Sequence, residues 1–187
     1  MTDSTPAVPV NEDVRAKDHL SMAVVLSAAS IAWFGWGHQG GLAEWWLRAG
    51  MVAGAIALAI AIGRLRQVPV RPTLATDPAA RRIYWVAVAA EVGLILLGMV
   101  VLAQTGNPLY TSTWTLFVVG VHFLPFVRPF SAPLLRYAAL ACVIVAAVAL
   151  WAGLAGWAPA PTVAGAGGGI VLLGFALSLL FTARDRG

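Results

Sequence analysis

The sequence predicts an all-α integral membrane protein of six transmembrane helices, arranged as three antiparallel hairpins with both termini on the cytoplasmic side. Three observations predict it. First, 60% of the 187 residues are hydrophobic and only 11% are charged, with a mean hydropathy of +0.83. A soluble domain runs nearer half apolar and about a quarter charged, so most of this chain needs lipid as its solvent. Second, six apolar runs cover roughly 20–36, 45–63, 83–103, 110–127, 134–156 and 163–182, each close to the ~20 residues that carry an α-helix across the hydrocarbon. They lack period-two alternation, which excludes barrel strands. Third, with six crossings, eleven of the twelve Lys and Arg residues fall on one side and only Arg48 on the other. The positive-inside rule makes the basic side cytoplasmic.

In chain order, residues 1–19, MTDSTPAVPVNEDVRAKDH, read as a disordered cytoplasmic tail of mixed charge. Interspersed acids exclude a secretory n-region. A single six-helix domain covers 20–183, and 184–187 form a C-terminal cytoplasmic tail. The outer connections, GHQGGLAE, QTGNP and GWAPAP, are short, which makes successive helices antiparallel neighbours. The long inner connection, 64–82, contains three prolines and a helix start at Asp77-Pro78, where Asp caps and Pro takes the first turn. Trp36, Trp45, Trp46, Tyr110, Trp114 and Trp157 fall at the outer boundary, and Tyr84, Trp85 and Tyr137 at the inner one, the depth that amphipathic rings prefer. Trp33 and Trp151 lie deeper, at positions suited to a cavity wall. The three hairpins share too little sequence to mark a duplication, and no inverted repeat is evident.

The net charge of +4 does not point to nucleic acid. The basic residues stand in short groups beside apolar runs, where they meet anionic head groups. Lipid is therefore the first partner, with a small-molecule ligand and a homo-oligomer or membrane partner as further expectations. Only one basic residue, Lys17, is a lysine, and Ala and Gly are abundant. This composition suits a GC-rich bacterial genome and a place in the bacterial cytoplasmic (inner) membrane. The lone cysteine, Cys142, excludes an internal disulfide and a Cys-x-x-Cys site.

Small residues at four-residue spacing, Gly50 and Gly54, Gly165 and Gly169, Ala28 and Ala32, are the candidate packing positions, because missing side chains let helix backbones approach. They serve packing inside one bundle or docking onto a partner.

Glu91 is the costliest residue in the sequence. It lies about eight residues into the third apolar run, ~12 Å deep at ~1.5 Å per residue, where a carboxylate must be protonated, paired or wet. His122 lies about six residues from the inner end of the fourth run, ~9 Å deep by the same rise. Neighbouring helices thus bring an acid and an imidazole to similar depth. Thr111, Thr115, Val118 and His122 share one helical stripe, as do Tyr84, Glu91 and Gly98, with Gly98 leaving space above the carboxylate. Pro125 cannot donate an amide hydrogen and is expected to kink the helix beside the imidazole. The candidate binding set is Glu91, His122, Thr115, Thr111, Tyr84 and Trp33. Three readings are open for the pair: interhelical glue, a site on a polar path for a small solute or protons, and a metal or haem ligand. The third is disfavoured, since His19 and His38, the other two histidines, lie at opposite faces. No cofactor and no metal is expected. Signatures of hydrolases, zinc proteases and P-loop enzymes are absent, so a membrane enzyme ranks behind a binding or translocating protein and a non-catalytic membrane subunit.

The run Gly120-Val121-His122-Phe123-Leu124-Pro125-Phe126 resembles a Gly-x-His-Phe-x-Pro signature of small multi-pass bacterial membrane proteins of unknown function. The resemblance implies a shared fold and no activity. In size and helix count the chain is also similar to the substrate-binding subunits of energy-coupling-factor transporters. Those dock through small residues on their first helix, a role for which Ala28 and Ala32 stand in the matching place.

Overall fold

The computed structural model describes residues 12–40, 45–70, 72–129 and 132–182. The start of the expected N-terminal tail, the C-terminal tail 184–187, and Arg71 lie outside the described residues. Among the described residues the chain forms seven α-helices: α1 (Glu12–Gly37), α2 (Trp45–Gln67), α3 (Thr73–Thr76), α4 (Pro78–Gln104), α5 (Thr111–His122), α6 (Leu134–Ala155) and α7 (Ala160–Thr182). Six helical spans are long and apolar enough to cross a membrane, the fourth being α5 together with the 3₁₀ turns Pro108–Tyr110 and Leu124–Phe126 that flank it. The protein is a six-helix, multi-pass membrane bundle.

One boundary differs instructively from the sequence reading. α1 starts at Glu12 rather than near residue 20. Glu12 and Asp13 occupy its first turn, where the partial positive charge of a helix N-terminus favours acids. The next turn is held by tertiary bonds: Lys17 Nζ donates to the carbonyls of Leu65 (2.8 Å) and Val68 (2.6 Å). α4 begins where the sequence indicated, with the Asp77 side chain accepting from Ala79 N at 2.8 Å and Pro78 in the first turn.

Spatially, α1 packs between α2 and α7, α7 packs on α6 and α5, and α6 on α5. α4 is peripheral. Among the described residues it packs mainly on α5, its flanking turns and α3. Glycines set the closest approaches. A methyl group at position 165 would fall 2.4 Å from the Gly37 backbone nitrogen, and the Phe34 ring lies between Gly50 and Gly169, 2.6 Å and 2.8 Å from where their methyls would be. Gly54 meets Ser30 and Ile31 in the same way. Such contact supplies dispersion attraction that lipid cannot replace. Ala28 and Ala32 are instead exposed, because α1 turns Ser27, Ser30, Trp33 and Phe34 inward and leaves the alanine stripe outside.

Candidate functional site

A cavity of about 430 Å³ lies between α1 and α4, with α5 behind it and Leu135 and Leu172 contributed by α6 and α7. It lies where α1 and α4 lack extensive direct packing. The α1 wall is one helical stripe, Asp18, Met22, Val25, Ala29 and Trp33, at intervals of four, three, four and four. Tyr84, Val88 and Glu91 follow the same rule on α4, and Val119, His122, Phe123 and Phe126 form the back.

Glu91 and His122 meet, with His122 Nδ1 3.4 Å from Glu91 Oε2 and the side chains only 11% and 20% exposed for His and Glu respectively. The same nitrogen lies 3.3 Å from the Ala87 carbonyl oxygen. A carbonyl can only accept, so Nδ1 carries a hydrogen and points it between two oxygens. Nε2 therefore stays available, as an acceptor on the neutral ring or a second donor on the charged one. Among the described residues it has no protein partner. The edge of the Phe126 ring meets the imidazole at a centroid distance of 4.6 Å, and Phe126 stacks on Tyr84 at 5.7 Å. These rings hold the imidazole in place, since each of the three is itself packed.

The far end of the cavity is polar in a way the sequence reading missed. Asp18 is buried and accepts hydrogen bonds from the backbone nitrogen of Thr73 at 2.8 Å and from the Thr73 hydroxyl. Pro72 and Ser21 line the cavity beside it. With Lys17 bound to Leu65 and Val68, two consecutive residues of α1 clamp the segment that joins α2 to α4. That segment lines one end of the cavity through Pro72.

Of the expected binding residues, the structure brings Glu91, His122, Tyr84 and Trp33 together in one wall. Thr111 and Thr115 are elsewhere: Thr115 is buried and its hydroxyl donates to the Thr111 carbonyl of its own helix at 2.8 Å. Pro125 does not kink a continuous helix. α5 ends at His122, and Pro125 sits in the 3₁₀ turn that follows, where Phe126 N bonds Phe123 O at 3.2 Å and Val127 N bonds Leu124 O at 3.3 Å. Gly98 leaves no space above the carboxylate, because the Trp114 indole fills it. Trp151 is exposed and tilts against Trp157 rather than lining a cavity. Among the described residues no group of three or more His, Cys, Asp or Glu side chains is placed to hold a metal ion.

Comparison with known proteins adds no relative: no family model, no curated protein and no solved structure matches the chain.

Proposed function

We propose that this is a protein of the bacterial cytoplasmic membrane that binds and translocates a small solute or ion through a polar site centred on Glu91 and His122. Its helices would form three antiparallel hairpins with both termini cytoplasmic, and its relatives would be the small multi-pass proteins sharing the Gly-x-His-Phe-x-Pro run. The observation that carries the reading is that the pair forms part of a cavity wall instead of a sealed interhelical contact. Structural glue needs no cavity. A ligand site needs a polar group with unused hydrogen-bonding capacity in its lining, and His122, with a second ring nitrogen beyond the one that meets Glu91 and Ala87, supplies it. Trp33 and Tyr84 in the same wall are the aromatic lining that small-molecule sites commonly use. The orientation rests on the distribution of basic residues.

The test is substitution in reconstituted vesicles. Glu91→Gln and His122→Ala should each abolish solute flux or ligand affinity while the protein still melts as a folded bundle. If both leave flux, proton coupling and affinity intact and only lower thermal stability, the site reading is wrong. For orientation, a Val70→Cys label should react from the cytoplasm and not from the periplasm. Cys142 is buried and stays silent in that assay.

A second reading has its own support. The direct Glu91–His122 contact ties the peripheral α4 to α5, and Ala28 and Ala32 face outward. A non-catalytic membrane subunit, with a structural polar pair and a docking face on α1, would show both features. It predicts the opposite outcome in the flux assay.

A further inference from the structure

We infer that the ligand of this cavity is a lipophilic cation, an alkyl chain with a protonated amine head, which enters sideways from the bilayer between α1 and α4. The inference rests on the cavity being a ligand site and adds the chemical class and the route.

The route follows from the cavity's open side. Val25 lines the cavity and is nevertheless 63% exposed, five residues into the apolar run of α1 that begins near residue 20. The lip is therefore at hydrocarbon depth. Val88 lines the cavity from α4. At the end beside Asp18 the segment joining α2 to α4 is tied down by the Thr73 and Lys17 hydrogen bonds. A water-soluble solute entering at that end would have to pass the tied segment, whereas a molecule dissolved in lipid meets an open cleft.

The shape follows from length and volume. From Asp18 to Trp33, α1 rises roughly 22 Å. A cavity of about 430 Å³ whose lining runs along that length of α1 is elongated, a shape that suits an extended chain. The volume lies within the roughly 300–1,000 Å³ of small-molecule sites.

The charge follows from what the wall contains and omits. Among the described residues its ionisable groups are Asp18, Glu91, His122 and the Tyr84 phenol, with no lysine or arginine in the lining. Lys17, the nearest basic residue in sequence, is committed to two carbonyls away from the cavity. With both carboxylates ionised the wall is net negative whether or not the imidazole is protonated. An anionic head beside either carboxylate would meet a like charge in a poorly screened site, and a cationic one would meet its complement.

The experiment is equilibrium binding to the intact protein in phosphatidylcholine nanodiscs, with empty discs subtracted and three radiolabelled probes: dodecylamine, dodecanoate and methylammonium. Dodecylamine should bind saturably, and dodecanoate and methylammonium should not. Glu91→Gln should weaken dodecylamine binding by about tenfold, the loss of one charge-assisted contact. Val25→Trp, which narrows the lip without touching the polar groups, should also reduce it, and a melting curve for each variant confirms folding. Dodecanoate binding as tightly as dodecylamine overturns the charge argument. Methylammonium binding that Glu91→Gln removes, without dodecylamine binding, overturns the lateral route and chain while leaving the site reading standing. If no probe binds, and flux is insensitive to Glu91 and His122, both readings fall together.

Discussion

The indole of Trp114 occupies the notch left by Gly98, with Nε1 donating to the Leu94 carbonyl at 2.8 Å and a methyl group at position 98 predicted to fall 1.9 Å from that nitrogen. The contact matters because α4 has few others. Its apolar window is only 6% buried within the protein, against 44% for the corresponding window of α1, so this notch is a principal tie between α4 and the bundle. Gly98→Ala should expel the indole and cost about 1–3 kcal/mol, the range for overpacking. Trp114→Phe, which keeps a ring and loses the hydrogen bond, should cost about 1 kcal/mol. Thermal melting in detergent checks both, and wild-type melting for Gly98→Ala would place the anchor of α4 elsewhere.

Glycine substitutions should divide by what lies opposite them. At Gly165 a new methyl meets backbone atoms of Gly37 and Trp33, which cannot rotate away. Gly165→Ala should therefore separate α1 from α7 and lower resistance to unfolding by dodecyl sulfate. At Gly63, Gly93 and Gly174 nothing lies within 4 Å of an added methyl. Alanine there should be neutral or stabilising by about 0.5–1 kcal/mol, the helical cost of glycine relative to alanine. A ranking that ignores this division would argue against the close α1–α7 packing.

The clamp at the end of the cavity makes a local prediction. Thr73→Val removes one hydroxyl bond to Asp18, and Asp18→Asn weakens both bonds to Thr73 by removing the charge. Hydrogen bonds to charged groups contribute about 1.5–3 kcal/mol, so Asp18→Asn should have the larger effect. The expected readout is faster amide hydrogen exchange in residues 72–77, with exchange in α6 and α7 unchanged. Lys17→Met should loosen the neighbouring turn at Leu65 and Val68 in the same assay, because its ammonium donates to both carbonyls.

Much of this was legible in sequence because membrane physics leaves few choices. Backbone groups in lipid must bond internally, so six apolar runs could only become six helices, and the Asp77-Pro78 start of α4 follows from capping alone. Glu91 and His122 could be paired on depth because the residue rise converts position into height. The choice of stripe on α5 was not legible. A residue at 122 has helical neighbours at both 118 and 119, and the threonines drew attention to Thr115 and Val118. Packing turned Val119, Phe123 and Phe126 to the cavity instead, and Thr115 satisfied itself on its own backbone. Asp18 was hidden for a different reason. Its partner Thr73 is 55 residues away, and a polar stretch beside an apolar run looks the same whether it is tethered or free. The α1 stripe of Asp18, Met22, Val25, Ala29 and Trp33 was present in the sequence and would have marked it.

The strength of the Glu91–His122 contact separates the two functional readings by energy as well as by flux. At 3.4 Å from Oε2, with its hydrogen shared with the Ala87 carbonyl at 3.3 Å, Nδ1 makes two long bonds rather than one short one, and such bonds weaken with distance. Polar pairs between membrane helices contribute about 0.6 kcal/mol on average in double-mutant cycles. The cycle built from Glu91→Gln, His122→Ala and the double variant should therefore give a coupling near that value when unfolding is measured. A pair retained for a ligand gains little from binding itself tightly, because that contact competes with the ligand for the same atoms. A coupling of about 2 kcal/mol or more, toward the upper part of the range for contacting residues, would mean that the two side chains hold α4 against α5, and would favour the structural subunit over the transporter.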